Sequence, residues 1–112
     1  MSHKSRDPQF IEDILEAANR IREYKKGISY EKFLEETMIQ DSVIRNLEVI
    51  GEATKNLSDK TRKDNPQTPW RNMSQLRDRL IHHYFGVNLE IVWEIINREL
   101  PEAIEDIRKV ES

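Results

Sequence analysis

Residues 43–57 read V-I-R-N-L-E-V-I-G-E-A-T-K-N-L. Val43, Leu47, Ile50, Thr54 and Leu57 in this stretch step by 4, 3, 4 and 3, the spacing that lines one face of an α-helix lying nearly antiparallel to its neighbours. Gly51 interrupts the segment at a cost of about 1 kcal/mol relative to alanine. A close backbone approach by another helix accounts for a glycine there.

Working outward, Asp7-Pro8 reads as an N-cap and first-turn pair. Phe10, Ile11, Ile14, Leu15, Ala18 and Ile21 then repeat at helical spacing as far as a stop at Gly27. Ser29 starts a second helix that runs through Tyr30, Phe33 and Leu34 into the 43–57 segment. Residues 58–69 are polar, with Asn65-Pro66 and Thr68-Pro69 marking a connection. Thr68 as cap and Pro69 at the first turn open a third helix through Trp70, Met73, Leu76, Leu80 and Tyr84, with Gly86 placed to end it. Asn88 caps a fourth, with Leu89, Val92, Trp93, Ile96 and Leu100 facing inward; Pro101 then forces a kink or restart before Ile104 and Ile107. The expected fold is all-α over a single domain, residues 1–112: an antiparallel four-helix-type bundle with a kinked or broken C-terminal helix.

Composition agrees. Three glycines and four prolines in 112 residues are too few for a turn-rich β architecture. Only 37% of residues are hydrophobic and 35% are charged, a lean supply of core that makes self-association a natural expectation. Cysteine is absent, which excludes disulfides and thiolate metal sites, and the three histidines form no ligand-like cluster. No metal or other cofactor is expected. The polar start and the lack of a long apolar run predict a cytoplasmic protein without a membrane span.

The net charge of -3 hides an uneven distribution. Residues 70–86 carry Arg71, Arg77 and Arg79 against Asp78 alone, whereas residues 87–112 are strongly acidic. The basic island contains R-D-R-L-I-H-H-Y-F-G-V, residues 77–87. Arginine offers a planar fork of donors to a phosphate, and histidine moves protons near neutral pH. Asp78 and His82, four residues apart, can pair so that the carboxylate orients the imidazole. On an ideal helix Arg77 and His82 lie about 140° apart, so one chain holds half a site unless the helix unwinds near His82. A two-fold axis through this helix would complete it.

The bland alternative is real. With ten arginines and three histidines, an R-x4-H pair arises by chance in about a quarter of such chains. Charged pairs at this spacing are commonly solvated decoration, and Tyr84 and Phe85 alone read as core or interface aromatics.

The wider string R-D-R-L-I-H-H-Y-F-G-V-N-L-E-I-V-W-E-I-I (77–96), with R-N-L-E-V-I-G-E-A (45–53) and Pro69-Trp70, closely resembles the HepT-like toxins of the HEPN superfamily. The resemblance runs from the first helix to Leu100. It implies a homodimeric helical bundle in which R-x4-H-x-Y motifs meet at the interface and cleave RNA without a metal. It also implies a minimal nucleotidyltransferase antitoxin that silences the toxin by adding AMP to the motif tyrosine. On that basis Arg77 and His82 are the catalytic pair, Asp78 a supporting residue and Tyr84 the modification target. Arg71, Arg79 and His83 are candidate RNA contacts. His83 departs from the acidic or small polar residue common at that position in relatives. Superfamily membership also admits a non-catalytic module that binds a nucleotide or the nucleotidyltransferase through the same basic cleft.

Overall fold

The computed structural model describes residues 6–80 and 86–110. Among the described residues the regular structure is helical: α1 (Asp7–Lys25), α2 (Tyr30–Glu35), α3 (Thr37–Lys55), α4 (Asp59–Asp64), α5 (Trp70–Ser74), α6 (Leu76–Leu80) and α7 (Leu89–Glu94) are followed by a π-helical turn (Ile95–Glu99) and α8 (Leu100–Ile107). The fold is all-α, as expected.

The 43–57 seam is the spine of the core. Val43, Leu47, Ile50, Thr54 and Leu57 are all buried, and α3 packs along α1 while also touching α2, α5 and α6. One apolar cluster extends from Ile11 on α1 to Ile107 on α8. The molecule measures 52 × 31 × 22 Å; the shortest dimension equals about two helix diameters. Thr54, the polar member of the seam, donates its hydroxyl to the Ile50 carbonyl at 2.7 Å, so its burial leaves no hydroxyl proton unbonded.

Several boundaries differ from the expectation, each for a physical reason. Asp7 is the first helical residue of α1 and does not cap it. Its buried carboxylate instead accepts from the Ser58 amide at 3.0 Å, the Ser58 hydroxyl and the Thr61 hydroxyl, bracing the start of α4 across the chain. Residues 58–69 are therefore more than a polar link: Ser58 caps a short helix by accepting from the Thr61 amide. Ser29 does cap α2, but the backbone at Glu36 (φ -105, ψ 88) leaves helical geometry and separates α2 from α3. Gln40 spans that break, donating to the Phe33 and Leu34 carbonyls. Gly27 adopts φ 75, as its role as a stop requires.

The kink expected at Pro101 takes the form of a π turn just before it. Leu100 donates its amide to the Ile95 carbonyl, five residues back. Proline has no amide to give and its ring clashes with the preceding turn of a regular helix, so the widened turn accommodates both. The same turn changes the buried face. Ile95, outside the expected stripe, is fully buried beside Ile96, whereas Trp93 is only half-buried against Phe33 and Tyr30.

Candidate active site

The expected third helix is interrupted at Gln75, whose φ of -98 and ψ of 10 separate α5 from α6. Thr68 is buried but does not cap α5; the N-cap position belongs to Pro69, which has no side chain for the task. Trp70 fixes the start instead, its indole donating to the Asn65 carbonyl at 2.9 Å. The break lies over Gly51. A Cβ there would sit 3.4 Å from the Met73 carbonyl and 3.6 Å from the Leu76 Cβ, ordinary contact distances, so the α5–α6 corner rests on α3 with room for little more than a methyl group. The close approach anticipated at Gly51 is present.

On α6, Leu76 and Leu80 are buried and define the direction of the core. Helical geometry puts Arg77 and Arg79 about 80° to either side of that direction and Asp78 opposite it. Arg77 and Asp78 are accordingly exposed. Arg71 on α5 is exposed as well. Among the described residues neither Arg71 nor Arg77 belongs to an ion pair.

Arg79 differs from the expectation of a free RNA contact. Its Nη2 donates to both carboxylate oxygens of Glu99, each at 2.8 Å, with the two side chains only partly exposed. The guanidinium is engaged by the π turn, so the local positive charge open to solvent comes from Arg71 and Arg77. Glu99 escaped sequence reasoning because it stands in an acidic C-terminal stretch with no motif around it. The signal available was Pro101, which marks the irregular turn that carries it.

His82, His83 and Tyr84 lie outside the described residues, as does the expected continuation of the helix to Tyr84. The two flanks of that segment meet through a backbone hydrogen bond. The Asn88 amide donates to the Leu80 carbonyl at 3.1 Å. Gly86 adopts φ 79, a conformation that side-chain-bearing residues avoid. The Asn88 carboxamide accepts from the Ile91 amide at 3.1 Å, capping α7 as the sequence predicts. Among the described residues no group of three or more His, Cys, Asp or Glu side chains is arranged to hold a metal, and no helix is long and apolar enough to cross a membrane.

Residues 14–110 match the family described as Ribonuclease HepT-like. The chain belongs to the HepT-like ribonuclease family. It is 45% identical over 101 residues to a protein of Methanocaldococcus jannaschii named "Putative RNase", covering 90% of this chain and 84% of that one. It is 40% identical over 111 residues to the "Probable ribonuclease HepT" of Thermococcus cleftensis, covering 96% and 97%. A further protein named "Putative RNase", from Caldanaerobacter subterraneus, is 40% identical and covered over 90% of each chain. No solved structure matches the chain significantly.

For a HepT-like ribonuclease the arrangement has a clear chemical use. An exposed guanidinium at Arg77 can hold a phosphodiester through two parallel hydrogen bonds. It stands on a helix seated on the core by Leu76 and Leu80. The chain that follows, bearing His82 and Tyr84 in sequence, begins at Leu80 and returns beside it at Asn88.

Proposed function

We propose that this HepT-like protein is a metal-independent endoribonuclease and the toxin of a toxin–antitoxin pair, cleaving RNA at a composite R-x4-H-x-Y site where two copies meet. The observation that carries this reading is the exposed Arg77, in no ion pair among the described residues, on a core-anchored helix that is followed in sequence by His82-x-Tyr84, within a chain matched to the family over residues 14–110. His82 removes the ribose 2′-OH proton as that oxygen attacks phosphorus. Arg77 stabilises the charge that builds on the phosphorane oxygens. The P–O5′ bond breaks, and the second copy's His82, in its imidazolium form, protonates the leaving 5′-oxygen. The products carry a 2′,3′-cyclic phosphate and a 5′-hydroxyl. Asp78 orients the imidazole. Cleavage at the two-fold axis makes the homodimer the working unit.

Control follows from Tyr84. A minimal nucleotidyltransferase antitoxin transfers AMP from ATP to its hydroxyl, with pyrophosphate leaving, and so places bulk and negative charge at the mouth of a basic cleft and repels RNA.

The test is cleavage of a labelled RNA by purified protein in EDTA. Activity in the wild type, lost in both Arg77→Ala and His82→Ala, is the expected result; activity that needs a metal, or that survives His82→Ala, overturns it. A Tyr84→Phe protein should resist neutralisation by the nucleotidyltransferase with ATP. An inert wild type that still binds that partner would assign the protein to the binding-module class.

A further inference from the structure

Helix α6, described over Leu76–Leu80, carries Arg77. Its apolar grip is the Leu76 and Leu80 pair, 3% and 1% exposed. Two anchors four residues apart lie along one line of the helix surface, so contacts to either side of that line bear on the rotation of the helix about it. Arg79 projects to one side of the line and Arg77 to the other. The hydrogen bonds from Arg79 Nη2 to the two Glu99 oxygens, both 2.8 Å, are the described side-chain link that opposes this rotation. Glu99 is itself firmly based: it ends the π turn, and the next residue, Leu100, is buried with Ala103, Ile104 and Ile107 on α8.

We propose that Glu99 is a positioning residue for the ribonuclease site, acting through Arg79 to fix the rotation of α6 and hence the direction in which Arg77 is presented. The inference rests on the ribonuclease reading given above. The pair has a second effect: it neutralises Arg79 beside the exposed Arg77, keeping one cation from competing for the phosphate. Loss of Glu99 therefore acts in opposite senses on turnover and binding. A rotated α6 misplaces Arg77 and slows the chemical step, while a released Arg79 adds positive charge that RNA can use.

Steady-state cleavage of a short labelled RNA separates these effects. Glu99→Gln should lower kcat about tenfold or more, because small misplacements of a phosphate-holding group are costly, while KM stays level or falls. A purely structural role would raise KM as well. Arg79→Gln should lower kcat without the gain in binding. The reversed pair, Arg79→Glu with Glu99→Arg, should recover most of the lost kcat. Hydrogen exchange of the amides in residues 76–80 and 86–88 should quicken in Glu99→Gln and return to the wild-type rate in the reversed pair. A kcat in Glu99→Gln equal to the wild type's, or a reversed pair no better than the single variants, overturns the proposal. If wild-type protein cleaves no RNA, the ribonuclease reading fails, and unchanged exchange in Glu99→Gln would independently reject the tether.

Discussion

The Asn88 amide donates to the Leu80 carbonyl at 3.1 Å, bringing together the two ends of the stretch that contains His82 and Tyr84. Leu80 is seated in the core by α6, and Asn88 is held by its own cap on α7. Removing the cap should loosen one flank without touching the motif. Asn88→Ala is expected to cost about 1 kcal/mol, a usual loss for an N-cap side chain. Chemical denaturation checks the stability, and hydrogen exchange at residues 89–91 should report the fraying.

Arg77→Ala and Arg71→Ala should part company. Both side chains are exposed, so neither change should move stability by more than about 0.5 kcal/mol. Arg77→Ala should reduce RNA cleavage by about a hundredfold or more if it stabilises the phosphorane. Arg71→Ala should mainly weaken binding and flatten its salt dependence, as expected of a phosphate contact. Cleavage rates and binding isotherms at two salt concentrations distinguish the outcomes.

The Asp7 brace should be a stability determinant far from the site. Its carboxylate accepts from the Ser58 amide and from the hydroxyls of Ser58 and Thr61 while almost fully buried. Asp7→Ala strands these donors, at an expected cost of about 2–3 kcal/mol. Urea denaturation measures it. A loss below about 0.5 kcal/mol would show that water replaces the carboxylate without penalty.

Gly51 offers a graded test of the α3 contact. A methyl group there would stand 3.4 Å from the Met73 carbonyl, an ordinary contact distance. Gly51→Ala should fold normally and gain up to about 1 kcal/mol from helix propensity. Gly51→Leu should push the α5–α6 corner away and lose about 1–3 kcal/mol. Thermal unfolding of the two variants should bracket the wild type, and the leucine variant should also lose cleavage because the displaced corner carries Arg77.

Much of the helical content was legible in residue spacing, because burial against a shared core requires apolar side chains at intervals of three and four. The 43–57 seam, the Ser29 and Asn88 caps and the stop at Gly27 all appear where their residues predict. The breaks at Glu36 and Gln75 were not legible. Neither has a proline or glycine of its own to mark it, and the Gln75 break forms where α3 presents a bare backbone at Gly51. The site divides similarly. Arg77, Asp78, His82 and Tyr84 could be named from sequence and family resemblance, since a motif is a local pattern.

By itself the sequence determined the all-α class, the 43–57 seam, the Ser29 and Asn88 caps and the family to which the chain belongs, and it supplied the R-x4-H-x-Y string as a candidate motif. Only the tertiary structure decided that Asp7 braces α4, that Pro101 is accommodated by a π turn, and that Arg79 is engaged by Glu99 while Arg77 is left open. The physical reason is range. Periodicity and capping are set by neighbours within a turn of helix, whereas the partner of a charged side chain depends on which distant element the folded core brings within hydrogen-bond reach.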